Sequence, residues 1–295
     1  ANMGYSTAVV STIVTTTITE HTKIWMKMTS TSDINGTGIK NYVTNAYDCT
    51  VSTSGVAIVQ DTILDGSTQY VCDVNTSGVV RMPDIVLNNG SKLTIMFWVK
   101  ITSNTGHNDR LFVDSNQGDN YNYPGIFVDT GNKTFKIAGW YSGNTGSGYE
   151  NVLVESNVYT ANVWAHYSFV FDNDGSIPRA YKNGSEVTVT AGSNLTGHTD
   201  GEIDGLYNDN TILAPYVNAL SSGSRDGAYY FYDYRVYNRT LTDSQVEYVY
   251  NNTDSQITEL TENIVNTKIV TVSGSPEVFY LDGSANPTIT FAASE

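Results

Sequence analysis

With 295 residues, the chain is long enough for one large β-sandwich or for two smaller domains. Acidic residues outnumber basic ones 30 to 15, and the net charge of −15 would repel a phosphate backbone. We therefore expect no nucleic-acid partner, whereas calcium is compatible with this charge. No run of about 18 apolar residues occurs, so we also expect no membrane span.

The composition favours strands and turns. Charged residues make up only 15% of the chain, and its polarity comes from Thr, Ser, Asn and 21 Tyr. β-Branched and aromatic side chains fit a pleated surface, and a hydrophobic content of 40% is enough for a sizeable core. We interpret this composition as that of an exposed surface protein rather than a cytosolic enzyme.

Residues 1–22 are rich in threonine and other β-branched residues, but neither face of a strand would be consistently apolar. This pattern predicts an extended N-terminal arm rather than a core strand. An arm of high β-propensity is suited to pair with a sheet edge, either its own or a neighbour's.

Strands are predicted next at residues 23–28, 42–52, 56–60, 64–74 and 93–101. The strongest is LTIMFWVKI, Leu93–Ile101, in which every second side chain from Leu93 is a large apolar one. The intervening Thr94, Met96, Trp98 and Lys100 face the opposite way. This period of two predicts a strand with one deeply buried face.

The two cysteines, Cys49 and Cys72, are too few for a disulfide scaffold and make no zinc site at this spacing. One disulfide would form if the protein matures in an oxidising compartment. Two unrelated buried thiols are the other interpretation, and the sequence leaves both open.

Further strands are predicted at residues 110–114, 125–129 and 134–140, and polar loops follow two of them. Aromatic rings, amides and carboxylates are combined in residues 114–123 and 140–151. Sugars are held by ring stacking and polar contacts, often on loops of a rigid scaffold. We predict a glycan-binding surface formed by Asn116, Asp119, Asn120, Tyr121, Tyr123, Trp140, Tyr141, Asn144 and Tyr149.

VWAHYSFVFD, residues 163–172, alternates again and predicts a strand with its core side formed by Val163, Ala165, Tyr167, Phe169 and Phe171. Hairpin turns are predicted at the Asp174-Gly175 and Asn183-Gly184 dipeptides, because such pairs adopt positive φ easily.

Metal and catalytic sites are weakly supported by the sequence. Residues 172–176 hint at a calcium loop, but position 12 of such a loop, which needs Glu, would be Asn183. The pair Glu202 and Asp204 has the spacing of a glycosidase carboxylate pair but lacks the third carboxylate. His166 has no Ser or Cys nucleophile motif beside it. We therefore expect no catalytic residues.

The clearest stretch is DGAYYFYDYRVYNRTLTDSQVEYVYNN, residues 226–252, which predicts an aromatic strand leading into a short helix. Thr242 is the expected N-cap, with Gln245 completing a capping box. Leu241 and Val246 are placed to form a hydrophobic staple, and the asparagines at 251 and 252 end the helix.

This strand–cap–helix order resembles the closing motif of laminin G-like domains in the concanavalin A-like lectin/glucanase superfamily. The matching positions are Asp233, Arg235, Tyr237, Asn238, Arg239, Leu241 and Thr242. Residues 64–74, 93–101, 163–172 and 181–184 resemble further motifs of that family in the same order. The resemblance implies an all-β jelly-roll sandwich of two antiparallel sheets with one short helix, over residues 23–253. Relatives often bind calcium at the sandwich rim, but their ligands vary and none is assigned to this chain.

Beyond residue 253 the pattern changes to a polar connector followed by three strand-like runs, KIVTVSG, EVFYLDG and PTITFAA. We predict that residues 254–295 form a linker and a partial β module. Because two or three strands alone are marginal in water, this tail is expected to pack on the main domain, pair with another subunit or continue into something longer.

We expect a non-enzymatic surface or structural protein, located outside cells or on a virion surface. The composition and closing motif resemble those of virion structural and fibre proteins. Its expected partners are glycans, other structural subunits held through the N-terminal arm and C-terminal strands, or both. The alternatives are a carbohydrate-binding module of a secreted polysaccharide-degrading system and a divergent glycoside hydrolase.

Overall fold

The computed structural model describes residues 5–10, 14–16, 21–51, 55–63, 66–75, 78–83, 85–87, 92–102, 109–114, 125–139, 150–172, 177–191, 211–213, 215–218, 229–253, 260–262 and 268–273. The chain divides into two compact units, one formed by residues 20–256 and the other by residues 1–19 with 257–295.

The described strands, numbered β1 to β24 in chain order, are Tyr5–Val10, Val14–Thr16, Thr22–Met26, Ile34–Asn35, Gly38–Asn41, Ala46–Val51, Val56–Thr62, Thr68–Val74, Val79–Arg81, Ile85–Leu87, Leu93–Ile101, Asp109–Asp114, Gly125–Asp129, Thr134–Gly139, Glu150–Val154, Trp164–Phe171, Arg179–Lys182, Ser185–Val187, Val189–Ala191, Thr211–Leu213, Pro215–Asn218, Tyr229–Tyr237, Leu260–Glu262 and Lys268–Ser273. The one α-helix of the described residues, α1, spans Asp243–Asn251, and a short 3-10 turn spans Thr31–Asp33.

Two large antiparallel sheets form the first unit. The eight-stranded sheet has the order β18-β17-β16-β11-β22-β8-β7, with β3 also pairing with β22. The ten-stranded sheet has the order β19-β15-β14-β13-β12-β21-β9-β6-β5-β4. Strands β10 and β20 form a separate antiparallel pair. This arrangement confirms the predicted all-β class with antiparallel sheets and a single short helix.

The two sheets pack face to face over an aromatic core. Phe135 of β14 contacts Tyr167 and Phe169 of β16, with ring centroids 4.7 and 5.6 Å apart. The Tyr234 hydroxyl of β22 donates a 2.8 Å hydrogen bond to the Leu111 carbonyl of β12, so a buried polar group also joins the sheets. Inter-sheet contact of this kind is the core of a β-sandwich.

Strand β11 differs from its prediction on the face away from this core. Its bounds are those predicted, but every residue of Leu93–Ile101 except Lys100 is buried, so both faces of the strand are covered. The second face is covered by α1 and its flanking turns: Trp98 packs on Tyr250 and donates to the Thr253 hydroxyl. An alternating pattern could not reveal this covering, because it comes from residues about 150 positions away in the sequence.

Two strand boundaries were predicted wrongly. Val163, predicted on the core side, precedes β16 and is 46% exposed, because its N–H bonds to the Thr160 carbonyl in a turn. The strand predicted over residues 42–52 begins only at Ala46: residues 42–45, with Asn45 at φ 55°, form the turn that joins β5 to β6. Short hairpin turns of this kind need residues that tolerate positive φ, and Asn is among them.

Helix α1 begins and ends as the sequence predicts. The Thr242 hydroxyl accepts the Gln245 N–H at 3.3 Å, and the Gln245 side chain accepts the Thr242 N–H at 2.9 Å. Leu241 and Val246 are both fully buried, as a hydrophobic staple requires. The helix ends at Asn252, whose N–H bonds to the Tyr248 and Val249 carbonyls.

The N-terminal and C-terminal segments pair with each other in the second unit. Strand β1 pairs antiparallel with β24 from Tyr5 opposite Ser273 to Val10 opposite Lys268, and β2 pairs with β23. Within the described residues, the arm therefore pairs with the predicted C-terminal module. The second and third predicted tail strands lie outside the described residues.

Candidate functional site

All nine residues predicted to bind glycans lie outside the described residues, in the segments 115–124 and 140–149. The strands that flank these segments are described, so the sheet shows where each segment leaves and re-enters it. Segment 115–124 connects β12 to β13, and segment 140–149 connects β14 to β15.

Both segments start and finish at the same end of the ten-stranded sheet. Val113 near the end of β12 pairs with Gly125 at the start of β13, and Gly125 also pairs with Ala138 near the end of β14. Gly139 then pairs with Glu150, the first residue of β15. Because neighbouring hairpins of an antiparallel sheet alternate between its two ends, the β12–β13 and β14–β15 connections share one end.

Two more strand termini lie at this end. Ala191, the last residue of β19, pairs with Val152, and Pro215, the first residue of β21, pairs with Asp114. The chain between them contains the carboxylate pair Glu202 and Asp204, which lies outside the described residues. We call these six strand termini the loop rim: Asp114, Gly125, Gly139, Glu150, Ala191 and Pro215.

On the eight-stranded sheet, a described cluster of aromatic and charged side chains lies on the face away from the core. The Lys100 ammonium pairs with Asp61 and sits 4.4 Å from the ring centroid of Tyr230. The Trp164 indole N–H donates to Asp61 Oδ2 at 3.0 Å. These contacts attach strand β7 to β11 and β16. Sequence analysis missed this cluster, because its residues come from four separate strands.

The carboxylates of this cluster differ in their electrostatics. Burial alone would raise the pKa of Asp61, but the hydrogen bond and charge of Lys100 outweigh it and lower that pKa. For Asp73, burial raises the pKa and the more distant Lys100 only partly opposes it. Its Oδ1 is buried without a hydrogen-bond partner within the described chain, which disfavours the charged carboxylate.

A second, fully buried cluster holds the closing motif of the sandwich. Arg235 donates from Nε and Nη2 to the two carboxylate oxygens of Asp233, each at 2.9 Å. The Trp25 indole N–H donates to Asp233 Oδ1 at 2.6 Å, and the guanidinium lies 4.8 Å from the Trp25 ring centroid. Burial would lower the pKa of Arg235, but Asp233 outweighs it and raises that pKa. Solvent does not reach this pair, so its role is structural.

His166 lies inside β16, as the resemblance implies, and is only 1% exposed. Burial, reinforced by the charge of Arg235, lowers its pKa to about 3. Neither ring nitrogen has a hydrogen-bond partner among the described residues. A neutral imidazole that no substrate can approach does not serve as a general base.

Of the proposed calcium loop, Asp172 and residues 177–183 are described. Asp172 pairs with Arg179 at 3.4 Å and with Lys92 at 4.0 Å. Asn183 occupies the predicted hairpin turn with φ 51°, and its Oδ1 accepts the His166 N–H. Among the described residues, no three His, Cys, Asp or Glu side chains are grouped closely enough to hold a metal ion.

Cys49 and Cys72 are free, buried thiols in the structure, rather than the disulfide that the sequence left open. Cys49 lies in the ten-stranded sheet and Cys72 in the eight-stranded sheet. Burial raises the pKa of both, with a further contribution from the adjacent Asp48 and Asp73 respectively. Raised thiol pKa values oppose thiolate chemistry at neutral pH.

No helix in the described part of the chain is long and apolar enough to cross a membrane.

Residues 74–247 match a laminin G family model described as the concanavalin A-like lectin/glucanases superfamily. The match covers more than half of the chain, and the chain belongs to this superfamily. No curated protein sequence matches the chain.

Several solved structures share the fold. The binding domain of Paraclostridial Mosquitocidal Protein 1 is 16% identical with a TM-score of 0.54, covering 79% of this chain and 52% of that one. The botulinum neurotoxin serotype D ligand binding domain in complex with N-acetylneuraminic acid is 13% identical with a TM-score of 0.51, covering 79% and 51%. Trypanosoma rangeli sialidase is 11% identical with a TM-score of 0.53, covering 80% and 33%. The chain thus spans about half the length of the two toxin domains and a third of the sialidase.

Proposed function

We propose that this chain is a non-enzymatic glycan-binding protein that works on a virion or cell surface. The observation that carries the proposal is the common position of the strand termini that flank segments 115–124 and 140–149 at the loop rim. These two segments hold all nine predicted sugar-binding residues. A rigid sheet that presents aromatic and amide side chains from adjacent hairpins offers stacking and polar contacts together.

The comparisons support the glycan part of this proposal at the level of the fold. The superfamily is lectin-like, and one structure of the same fold contains N-acetylneuraminic acid. Sialylated glycans are therefore the first class to test. A chain of net charge −15 would attract an acidic sugar only through local hydrogen bonds or a bridging cation, so calcium dependence is part of the test.

A glycan array probed with the purified protein, with calcium and with a chelator, tests the proposal. Binding to a defined glycan class supports it, and loss of that binding in chelator assigns a cation to the site. Silence on the array under both conditions would contradict glycan binding and leave only the structural role.

The structural role would be carried by the terminal unit, in which β1 pairs with β24. We propose that it joins the sandwich to other subunits of an assembly. A divergent glycoside hydrolase is the second candidate, because the chain between Ala191 and Pro215, which includes Glu202, Asp204 and strand β20, leaves and returns at the same loop rim. Release of reducing ends from β-glucans by the wild type, lost in Glu202→Gln, would establish the hydrolase instead.

A further inference from the structure

Five strands of the two large sheets have one partner strand each, and β7 is the longest of them. Strands β18 and β19 have three residues each, β4 has two and β7 has seven. Strand β3 has five, but the Trp25 N–H and carbonyl on its other side already bond to Asn41 Oδ1 and the Tyr42 N–H. Short edge strands protect a sheet against pairing with another chain, and a long regular one does not. Strand β7 pairs with β8 over all seven residues without a register shift. Within the described chain, no strand pairs with its other side.

Two hydrogen bonds at its ends show which backbone groups of β7 face outward. Asn75 N–H donates to the Gly55 carbonyl at 2.8 Å, and Ile63 N–H donates to the Ser67 carbonyl at 3.0 Å. Because hydrogen-bonded and non-bonded pairs alternate, the odd-numbered residues of β7 bond to β8. Val56, Ile58, Gln60 and Thr62 therefore direct their N–H and carbonyl groups away from the sheet.

One of these four residues is already engaged. Thr62 N–H donates to Asp61 Oδ1 at 2.9 Å. The outward groups of Val56, Ile58 and Gln60 have no hydrogen bond to any described residue. A row of three unpaired residues is a ready template for another strand.

Within the residues of β7 itself, the usual protections of a sheet edge are missing. Strand β7, VAIVQDT, has no Pro, Lys or bulge, and its only charged residue is Asp61. The Asp61 carboxylate is drawn to Lys100 and the Trp164 indole, over the face of the sheet. Val56 and Ile58 remain only partly buried against the core, so their side chains are still available for contact.

We propose that a second copy of this chain pairs antiparallel with β7 about a two-fold axis through Ile58. Ile58 then pairs with its own counterpart, and Val56 pairs with Gln60 in both directions. Each hydrogen-bonded pair exchanges two bonds, which gives about six intermolecular backbone hydrogen bonds. This register uses the outward backbone groups of Val56, Ile58 and Gln60, and it leaves the hydrogen bond from Thr62 N–H to Asp61 intact.

This register also brings no like charges together, which favours a second copy as the occupant. Asp61 of one copy comes opposite Gly55 of the other, and Ala57 comes opposite Val59. An interface that contacts itself in this way closes after two copies and does not propagate. The net charge of −15 on each copy opposes association at long range, so dimerisation should strengthen as salt screens it.

Sedimentation equilibrium of the full chain over a wide concentration range tests the proposal, with Gln60→Pro as the variant. Gln60 is exposed, and proline is tolerated on an edge strand where the lost N–H faces outward. The matched control is Glu186→Pro on the edge strand β18. Ser185 and Lys182 form the hydrogen-bonded pair that closes the hairpin, so the backbone N–H of the next residue, Glu186, faces outward. We expect a wild-type mass that doubles with concentration, a monomeric Gln60→Pro and an unchanged Glu186→Pro. A wild type that stays monomeric, or a dimer that Gln60→Pro retains, overturns the proposal.

Amide hydrogen exchange on the wild type keeps the test independent of whether a proline variant folds. We expect the amides of Val56, Ile58 and Gln60 to become protected as concentration rises, while those of Ala57 and Val59 are protected throughout. Free exchange of the first three at every concentration contradicts the dimer. Protection of the three amides in a protein of monomeric mass would also contradict it, by showing that another segment of the same chain covers the edge.

Discussion

The buried pair of Asp233 and Arg235 fixes the geometry of β22. Asp233 has φ 48°, and the register with β11 shifts between Met96 and Trp98 at this point. The bulge allows Phe231 and Tyr234, three residues apart, both to pack in the aromatic core, with ring centroids 5.5 Å apart. Positive φ is uncommon for residues other than Gly, and Asp is one of the few that tolerate it. The ion pair thus holds a locally strained strand in place.

Removing the cation of this pair should destabilise the protein strongly. Arg235→Met leaves the Asp233 carboxylate buried without its partner, and we expect a loss of about 3–5 kcal/mol in the free energy of unfolding. Urea unfolding monitored by tryptophan fluorescence measures it. The double variant Asp233→Asn with Arg235→Met should recover part of that loss, because no charge is then buried. A single variant that loses less than about 1 kcal/mol would show that the pair is not structural.

His166 should make stability depend on pH. Its pKa is about 3 in the folded protein against 6.5 for an ordinary histidine, so the unfolded chain takes up a proton that the folded chain refuses. Stability that is fully present above pH 6.5 is therefore lost as pH falls toward 3, with a slope of about 1.4 kcal/mol per pH unit.

The variant His166→Leu isolates this effect. The carboxylates that titrate in the same pH range are present in both the wild type and the variant, so their contribution cancels in the comparison. Between pH 6.5 and 5 the wild type should lose about 1.6 kcal/mol more than the variant. Urea unfolding at the two pH values gives the difference. Equal losses in the two proteins would mean that the folded protein accepts a proton on His166.

Helix α1 covers the sheet through contacts that begin at its cap. The Thr94 hydroxyl of β11 donates to the Arg239 carbonyl at 2.7 Å and accepts the Leu241 N–H at 3.1 Å. The Asp243 carboxylate in the first turn accepts from Arg179 and from the Tyr181 hydroxyl at 2.6 and 2.7 Å. The N-terminal end of the helix is thus attached to β11 and β17, which buries Trp98 beneath its C-terminal end.

Loss of the cap should weaken this attachment. Thr242→Ala leaves the Gln245 N–H without its acceptor, and we expect a loss of about 1 kcal/mol in unfolding free energy. Glu247→Ala, at an exposed position of the same helix, is the control and should change stability by less than about 0.5 kcal/mol. Similar effects of the two substitutions would show that the capping box contributes nothing.

Local chemistry made the helix and its caps predictable, since Thr242, Gln245 and Asn252 act within a few residues of one another. The period of two likewise located β11 and, apart from its first predicted residue, β16. Contacts between distant residues were not predictable in this way. Nothing near Asp61 in the sequence indicates that it meets Lys100 and Trp164, and nothing near Trp98 indicates the helix above it. For the nine proposed glycan-binding residues, the sheet gives the position of the flanking strand ends, and the binding role stays a prediction.

The terminal unit and the sandwich divide the chain into parts with different proposed roles. If the terminal unit joins subunits, deleting residues 1–19 and 257–295 should abolish assembly beyond the dimer formed through β7, while the remaining chain keeps its strand content and its glycan binding. Light scattering, circular dichroism and glycan binding of the two proteins measure these properties. Unchanged assembly after the deletion would contradict the role proposed for the paired termini.

If glycans bind at the loop rim, substitutions in segments 115–124 and 140–149 should weaken binding. With the best glycan from the array, Trp140→Ala and Tyr121→Ala should each weaken binding at least tenfold, because each loses one stacking surface worth about 1.4 kcal/mol or more. Tyr248→Ala is the control, since Tyr248 is 43% exposed on α1, outside the ten-stranded sheet. Calorimetric titration in the presence of calcium gives the three affinities. Wild-type affinity in both loop variants, or an equal loss in Tyr248→Ala, would contradict a glycan site at the loop rim.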